Sequence, residues 1–599
     1  LFLIYVCKFE RFLHNTLELS TTAFIIGLGF FGWLVFFPGI LGILTPTIVW
    51  GLMLVGVTFL TVRIKLFAAI KKPAPYNRVE CLLICAIMLA AGMDFLEAIS
   101  PPADADTLAY HFALPAKFIT EGTITFIPRA ISGAIPLLAH MTYIGAFALG
   151  GELTLTLWVM VLGWTSGLFT YAVLRRYVDR SWALAGLAAF ATTPAVLYGG
   201  GSGQIEILCA AFALASVLAL LNSEREPSYG ALAIAGICAG FFIGAKYYGV
   251  IFACSAGLVA VYHRDGIRRG FIYSVLALLA GCQWYIWNFA HTGDPVFPML
   301  TNTLQLPDSE IWSNEFGAYF IKTLAMGELP LERSALNWLV YPIHSIFNLT
   351  KELEGGRTGL GFLVFLMFPF SLLGIASLKN RRPELLIPFI VALIFYTVWF
   401  FSGTSQRTRH LLPVYPLLIL VLFPTAIEAA SRLRLYWPFA AGLAILIFVQ
   451  LTGQGIFTYN YARYLYVGET RTAFLERNVP GANSAEWINK NLSDDAKIGF
   501  MNRQLAYLIK RPAYMMHPHI QKVVDTRPIT TDAVKFVRQI HRQNLTHLLL
   551  PGDWTEPTNA KIRDVPFFNM IGKLLEISCL RPIHRLDTEM IQSRTLKQF

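Results

Sequence analysis

"VECLLICAIMLAAGMDFLEA" at 79–98 runs directly into "ISPPADADTLAYHFALPAKFITEG" at 99–122. The first piece is apolar and about 20 residues long, enough to cross a bilayer as a helix. The second opens with Pro101 and Pro102, which stop a helix, and then sets out Asp104, Asp106, Tyr110 and His111. Ionisable side chains at the mouth of an apolar run are costly unless paired or wet. They therefore default to a functional reading.

Working outward, similar apolar runs recur near 20–37, 41–62, 153–173, 182–199, 203–222, 229–245, 248–262, 270–288, 359–378, 385–401, 411–430 and 435–455. With 79–98 they predict a polytopic α-helical membrane protein of about thirteen transmembrane helices. The whole composition agrees. Of 599 residues 55% are hydrophobic and 14% charged, against about 25% charged in soluble chains. This argues against a soluble enzyme and excludes disorder. The net charge of +11 is explained first by basic cytoplasmic loops, so no nucleic-acid partner is expected. No cleavable signal peptide stands out. The cysteines show no zinc spacing and read as small hydrophobes, with no disulfide framework expected.

Basic clusters set the orientation. They are Lys8 and Arg11; Arg63, Lys65, Lys71, Lys72 and Arg78; Arg175, Arg176 and Arg180; Arg264, Arg268 and Arg269; Lys379, Arg381 and Arg382; and Arg432 and Arg434. All fall on one side if the N-terminus is cytoplasmic. Residues 1–78 then hold two N-terminal helices and a basic loop. The core spans 79–459, with outer loops at 99–152 and 289–357, where apolar pieces such as "AISGAIPLLAHMTYIGAFALGG" (130–151) read as helices on the membrane surface. Residues 460–599 have soluble composition and predict an extracytoplasmic (periplasmic) α/β domain, with a helix at "SAEWINKNL" and strands at "AKIGFM" and "THLLLP".

With this threading the scarce polar residues gather at the outer face. Besides the 104–111 cluster and Arg129, they are Glu206 after the turn "GGGSGQIE" (199–206), Lys246 in "GAKYYG" (244–249), and Asn288, His291 and Asp294 in "WYIWNFAHTGDPVFPML" (284–300). Arg407, Arg409 and His410 follow in "SGTSQRTRHLLPVYP" (402–416). Carboxylates mixed with cations suit a phosphorylated lipid. Arg and Lys hold phosphate by charge-assisted hydrogen bonds, and a carboxylate takes a proton from a nucleophile. Each residue has a plainer reading. Asp104 and Asp106 could cap a turn, Lys246 could snorkel, Arg407 and Arg409 could pair with the tail, and His291 and Asp294 could be turn residues.

The segment at 101–122, with "GAKYYG", "WNFAHTGDPVFPML", "RTRHLLPVYP" and "AEWINKNLSDDAKI", resembles the GT-C superfamily of membrane glycosyltransferases. That group includes protein O-mannosyltransferases, aminoarabinose transferases and bacterial family 39-like proteins. The resemblance covers most of the chain from about 80 onward. It implies a GT-C-like fold in an integral membrane protein of the bacterial inner membrane. The implied reaction moves a sugar from a polyprenyl-phosphate donor to a hydroxyl of a glycan, lipid or protein acceptor on the extracytoplasmic face, by single inverting displacement. Asp106 matches the acidic residue of the motif and is the candidate base. Asp104 is second, and two carboxylates this close would raise one pKa. Lys246, Arg407 and Arg409 are candidates for the donor phosphate, and Tyr110, His111, Glu206, His291 and His410 for substrate contact. No cofactor is implied; a divalent metal on Asp104, Asp106 and His111 stays open but is not favoured. Where relatives often carry a Glu, this chain has His140, which leaves room for a non-catalytic scaffold subunit of a membrane complex. A secondary transporter fits less well, because no inverted repeat appears.

Overall fold

The computed structural model describes residues 1–62, 74–262, 265–348, 353, 359–551 and 565–584. Arg63, Lys65, Lys71, Lys72 and Arg264 of the basic clusters lie outside the described residues. Among the described residues, seven helices are long and apolar enough to cross a membrane: Thr16–Ile40, Arg78–Ala98, Leu138–Leu174, Glu206–Arg225, Pro383–Ser402, Thr408–Arg432 and Tyr436–Tyr466. Two bent pairs, Arg180–Ala191 with Pro194–Gly201 (65°) and Gly266–Gly281 with Gln283–Thr292 (60°), raise the number to nine. The other apolar runs fold as shorter helices, at Pro46–Thr58, Tyr229–Ala245, Tyr248–Val261 and Leu363–Gly374. The fold is thus an integral-membrane helical bundle, with seven to nine spans of full length among the described residues.

The segment read as lying on the membrane surface is enclosed by protein over part of its length. Residues 138–146 are buried, and they are the first part of a helix that Gly150 and Gly151 break before it continues to Leu174. Helix Thr16–Ile40 covers them. A Cβ on Gly32 would stand 2.4 Å from the Leu138 carbonyl oxygen, so glycine is what lets the two backbones meet. The N-terminal helix thus encloses the core at this point and hides what would otherwise have been an interfacial face.

Ion pairs gather the basic residues at one end of the bundle. Arg176 is buried against Glu18, Arg180 forks onto Glu80 at 2.8 and 2.6 Å, Arg225 meets Glu384 at 2.7 Å and Arg11 meets Glu226 at 3.1 Å. Beyond the last helix lies a three-stranded parallel sheet of β1 (Ile498–Phe500), β2 (Ala513–Met515) and β3 (His547–Leu549), in the order β2-β1-β3. Ile498 is in register with both Ala513 and His547. Helices Ala533–Arg542 and Pro566–Glu576 bury Phe536, Ile540, Phe567, Met570 and Ile571 in a core of their own with Met516 and Val524. The tail packs onto the outer loops through Ala130 N–H to the Ile520 carbonyl, 2.8 Å, and Arg527 to Glu315, also 2.8 Å.

Candidate active site

Helix Arg78–Ala98 ends where the two prolines deny it further hydrogen bonds. Asp104 then accepts from the Thr107 backbone N–H at 2.9 Å and from its hydroxyl at 2.8 Å. This is the side-chain capping that short polar residues supply. It starts a π-helical turn at Thr107–His111, a geometry frequent at functional sites. Asp104 also accepts from Gln204 at 3.1 Å and from the Tyr198 hydroxyl. The glycine-rich turn therefore exists to reach Asp104. Gly203 sits at φ +78°, where a Cβ would stand 2.6 Å from the Phe112 ring. Asp104 is thus held by Thr107, Tyr198 and Gln204, two residues before Asp106.

The centre is Asp106. Arg409 Nη2 donates to its Oδ2 at 2.7 Å, and Arg503 Nη1 lies 2.7 Å from its Oδ1. Arg409 stands on the 3₁₀ turn Thr408–Val414, and Arg503 opens the 3₁₀ turn Arg503–Ala506 of the tail. Arg409 Nε also lies 4.0 Å from Glu206 Oε1, and Glu206 pairs with Lys246 Nζ at 2.5 Å. Glu206 occupies the first turn of its helix, where the backbone N–H groups favour an anion. Lys246 is the extended residue that separates helices Tyr229–Ala245 and Tyr248–Val261. The result is an alternating row, Arg503–Asp106–Arg409–Glu206–Lys246, with one more cation than anions.

The pKa expectation for the Asp pair is corrected. Burial works to raise the Asp106 carboxyl, but the Arg503 and Arg409 guanidiniums outweigh it and hold it well below the usual carboxylate range. His111 is pushed down to about 3, by burial first and by Lys246 and Arg409 after it, with Asp106 opposing. It is a neutral ring at working pH. Its Nδ1 meets His140 Nε2 at 2.8 Å, the rings stack at 4.9 Å, and Tyr110 lies 4.0 Å from His111. His140 is thus a buried partner of the motif histidine.

The remaining candidates divide. His410 packs 4.9 Å from Tyr248, whose ring lies 6.0 Å from Lys246 Nζ, so it backs the lysine. Arg407, expected at the phosphate, instead forks onto Glu328 with two bonds of 2.6 Å. Gln406 ties the same strand of chain to Leu331 at 3.0 and 3.1 Å. This clips the second outer loop in place. His291 is exposed and stacks on Phe126 at 4.5 Å and Trp287 at 4.1 Å, away from the charged row. Asp294 accepts from Val296 N–H, Leu300 N–H and the Thr301 hydroxyl at 2.9–3.0 Å, which makes it a turn residue. Arg407→Ala is therefore expected to leave the donor KM within about twofold and to cost about 1 kcal/mol of stability; steady-state kinetics beside thermal melts check both.

Sequence reading missed Arg503, which nothing in the tail marks out. It also missed Tyr198 and Gln204, which hold Asp104. Asp94 and Glu97 were passed over inside the apolar run at 79–98. Asp94 accepts from Trp164 Nε1 at 2.9 Å and Glu97 from the Tyr461 hydroxyl at 2.8 Å. Acids inside a spanning run were signal enough.

Residues 136–287, about a quarter of the chain, match a family model described as dolichyl-phosphate-mannose-protein mannosyltransferase. An uncharacterized protein of Shigella flexneri is 26% identical over 171 residues, covering 28% of this chain and 78% of its own length. Among solved structures, ArnT from Cupriavidus metallidurans in the apo state aligns at TM-score 0.47 and 14% identity, over 73% of this chain and 86% of that one. The archaeal oligosaccharyltransferase AglB from Archaeoglobus fulgidus, in complex with an inhibitory peptide and a dolichol-phosphate, aligns at TM-score 0.46 and 11% identity, over 78% and 69%. The matched 136–287 segment contains Glu206 and Lys246 and the turn that carries Tyr198 and Gln204.

Proposed function

We propose that this chain, a membrane glycosyltransferase of the GT-C superfamily, moves a sugar from a polyprenyl-phosphate donor to an acceptor hydroxyl, with Asp106 as base. The observation that carries this reading is the alternating row around Asp106, whose surplus cation suits a phosphate. Arg409 and Lys246 supply charge-assisted donors, and each is neutralised by a carboxylate that a phosphate can displace. When Arg409 turns to the donor phosphate, Asp106 loses one of its two guanidiniums and becomes more basic. It then takes the acceptor hydroxyl proton as the new bond to the anomeric carbon forms and the bond to the phosphate oxygen breaks. Neutral His111, stacked on His140, lines the acceptor side without competing for that proton. The phosphate's charge is met by Arg and Lys side chains, so the reading calls for no metal.

The reading puts the charged row and the tail on the extracytoplasmic side and the Arg176–Glu18 end in the cytoplasm. Lys246→Gln tests it. One charge-assisted bond to phosphate is lost, worth about 1.5–3 kcal/mol, so the KM for an undecaprenyl-phosphate sugar is expected to rise by about 10-fold or more. An unchanged KM would remove Lys246 from the donor site.

A further inference from the structure

Arg129 is a buried cation that the proposed transfer does not use. It stands on the outer-loop turn whose Ala130 N–H bonds to the Ile520 carbonyl of the tail. Its side chain is charged, yet the residue is only 6% exposed. Burial lowers the guanidinium to about 10, with Tyr514 opposing, so it remains a cation at neutral pH. Among the described residues no carboxylate pairs with it. Its Nη1 meets Met515 Sδ at 3.0 Å, a thioether that accepts weakly, and its Nε has no partner. A buried charge without compensation is destabilising.

Its surroundings supply no acid that pairs with it among the described residues. His517 is pushed down to about 3, by burial first and then by His519, Arg503 and Arg129; none of the charges it feels is an acid. His519 Nδ1 is engaged by the Tyr319 hydroxyl at 2.8 Å. Arg503, the next cation, is the one that holds Asp106 at 2.7 Å. The tail as a whole adds to the field: residues 460–599 carry 20 Lys and Arg against 13 Asp and Glu. The seam between the first outer loop and the tail therefore holds a buried guanidinium that no carboxylate compensates among the described residues.

We propose that this seam is an acceptor subsite for a phosphate monoester, with Arg129 as the anion-holding group and His517 as a neutral second donor. The proposal rests on the transferase reading, because it places the acceptor's phosphate on the side of Asp106 away from Lys246. It narrows the acceptor to a molecule that carries a phosphate near its reacting hydroxyl, borne on a lipid headgroup or on a free sugar phosphate.

The test uses the full chain in phosphatidylcholine nanodiscs, with undecaprenyl phosphate saturating the donor site. Inorganic phosphate and dihexanoyl phosphatidic acid serve as probes. Arg129→Met is expected to lose about tenfold or more in affinity for both probes and to keep its affinity for undecaprenyl phosphate. Its Tm should hold or rise, because an apolar side chain of similar length replaces a buried charge. Arg129→Lys should retain part of the binding. Tighter binding of phosphatidic acid than of inorganic phosphate assigns the headgroup source, and equal binding the free one. The proposal is overturned if Arg129→Met melts lower and binds both probes like the wild type, which makes Arg129 a packing residue. It is also overturned if that variant loses undecaprenyl phosphate, which makes the seam the donor site. A wild type that binds the probes through Arg129 but never binds undecaprenyl phosphate sinks the transferase reading and leaves the anion site standing.

Discussion

Asp106→Asn is expected to lower kcat for glycosyl transfer by about 10³-fold or more, within the range that a positioned general base supplies, while the protein still inserts and folds. The amide keeps the shape of the carboxylate and can accept one hydrogen bond, but it carries no charge and cannot hold the acceptor proton. The same change removes the anion that competes with phosphate for Arg409, so the donor KM should stay level or fall. A drop in kcat without a rise in KM marks an interaction made only in the transition state. A structural clamp would behave otherwise: it would lower the melting temperature and leave turnover per folded molecule unchanged. Wild-type turnover in this variant would place the base elsewhere. The pH dependence has a definite sign. The folded pKa of Asp106 lies below its unfolded value, so the ion pairs stabilise the protein above the ordinary carboxylate range, near pH 4, and that contribution is lost as pH falls through the folded value. Between about pH 5 and 8 Asp106 stays ionised in the free enzyme, so an acid limb of kcat/KM in that interval would come from another group.

How far the site was legible follows from which contacts are local. Asp106, Glu206, Lys246 and Arg409 each sit where an apolar run breaks, and the cost of charge near lipid is enough to single them out. Their mutual pairing is tertiary, and no spacing announces it. Arg407 and Arg409 show the limit. Two residues apart, they look equivalent in sequence, but Arg407 is the extended residue ahead of the 3₁₀ turn and Arg409 lies inside it. The backbone therefore turns between them, sending one to Glu328 and the other to Asp106. Arg503 meets a carboxylate almost 400 residues earlier in the chain, and only the docking of the tail reveals it. The helix lengths were hidden for a related reason. Hydropathy marks each apolar run but does not measure how long its helix stays straight, and the 65° and 60° bends are features of packing. The burial of Leu138–Ala146 was not legible, because the helix that covers it belongs to a run more than 100 residues earlier.

Arg409→Leu carries the second large effect, because Arg409 is the one side chain that lies against both carboxylates of the row. Its removal leaves Asp106 to Arg503 alone and Glu206 to Lys246 alone. Each carboxylate keeps one cation, so the loss is that of a charge-assisted bond, and about 1.5–3 kcal/mol of stability is expected to go with it. Transfer should fall further than in Lys246→Gln, since the donor phosphate loses its forked donor while Lys246 becomes bound more firmly to Glu206. Arg409→Lys separates charge from geometry: a point charge should recover most of the stability and little of the donor affinity, because the bidentate fork is gone. Glu206→Gln added to Arg409→Leu removes a contact with Arg409 that the first change has already broken. If the row is a connected network, the double variant should therefore be more stable than the sum of the singles, by about 1 kcal/mol or more. Strict additivity in that cycle would mean that the 4.0 Å approach of Arg409 to Glu206 carries no energy. Asp106 with its two arginines and Glu206 with its lysine would then be separate sites.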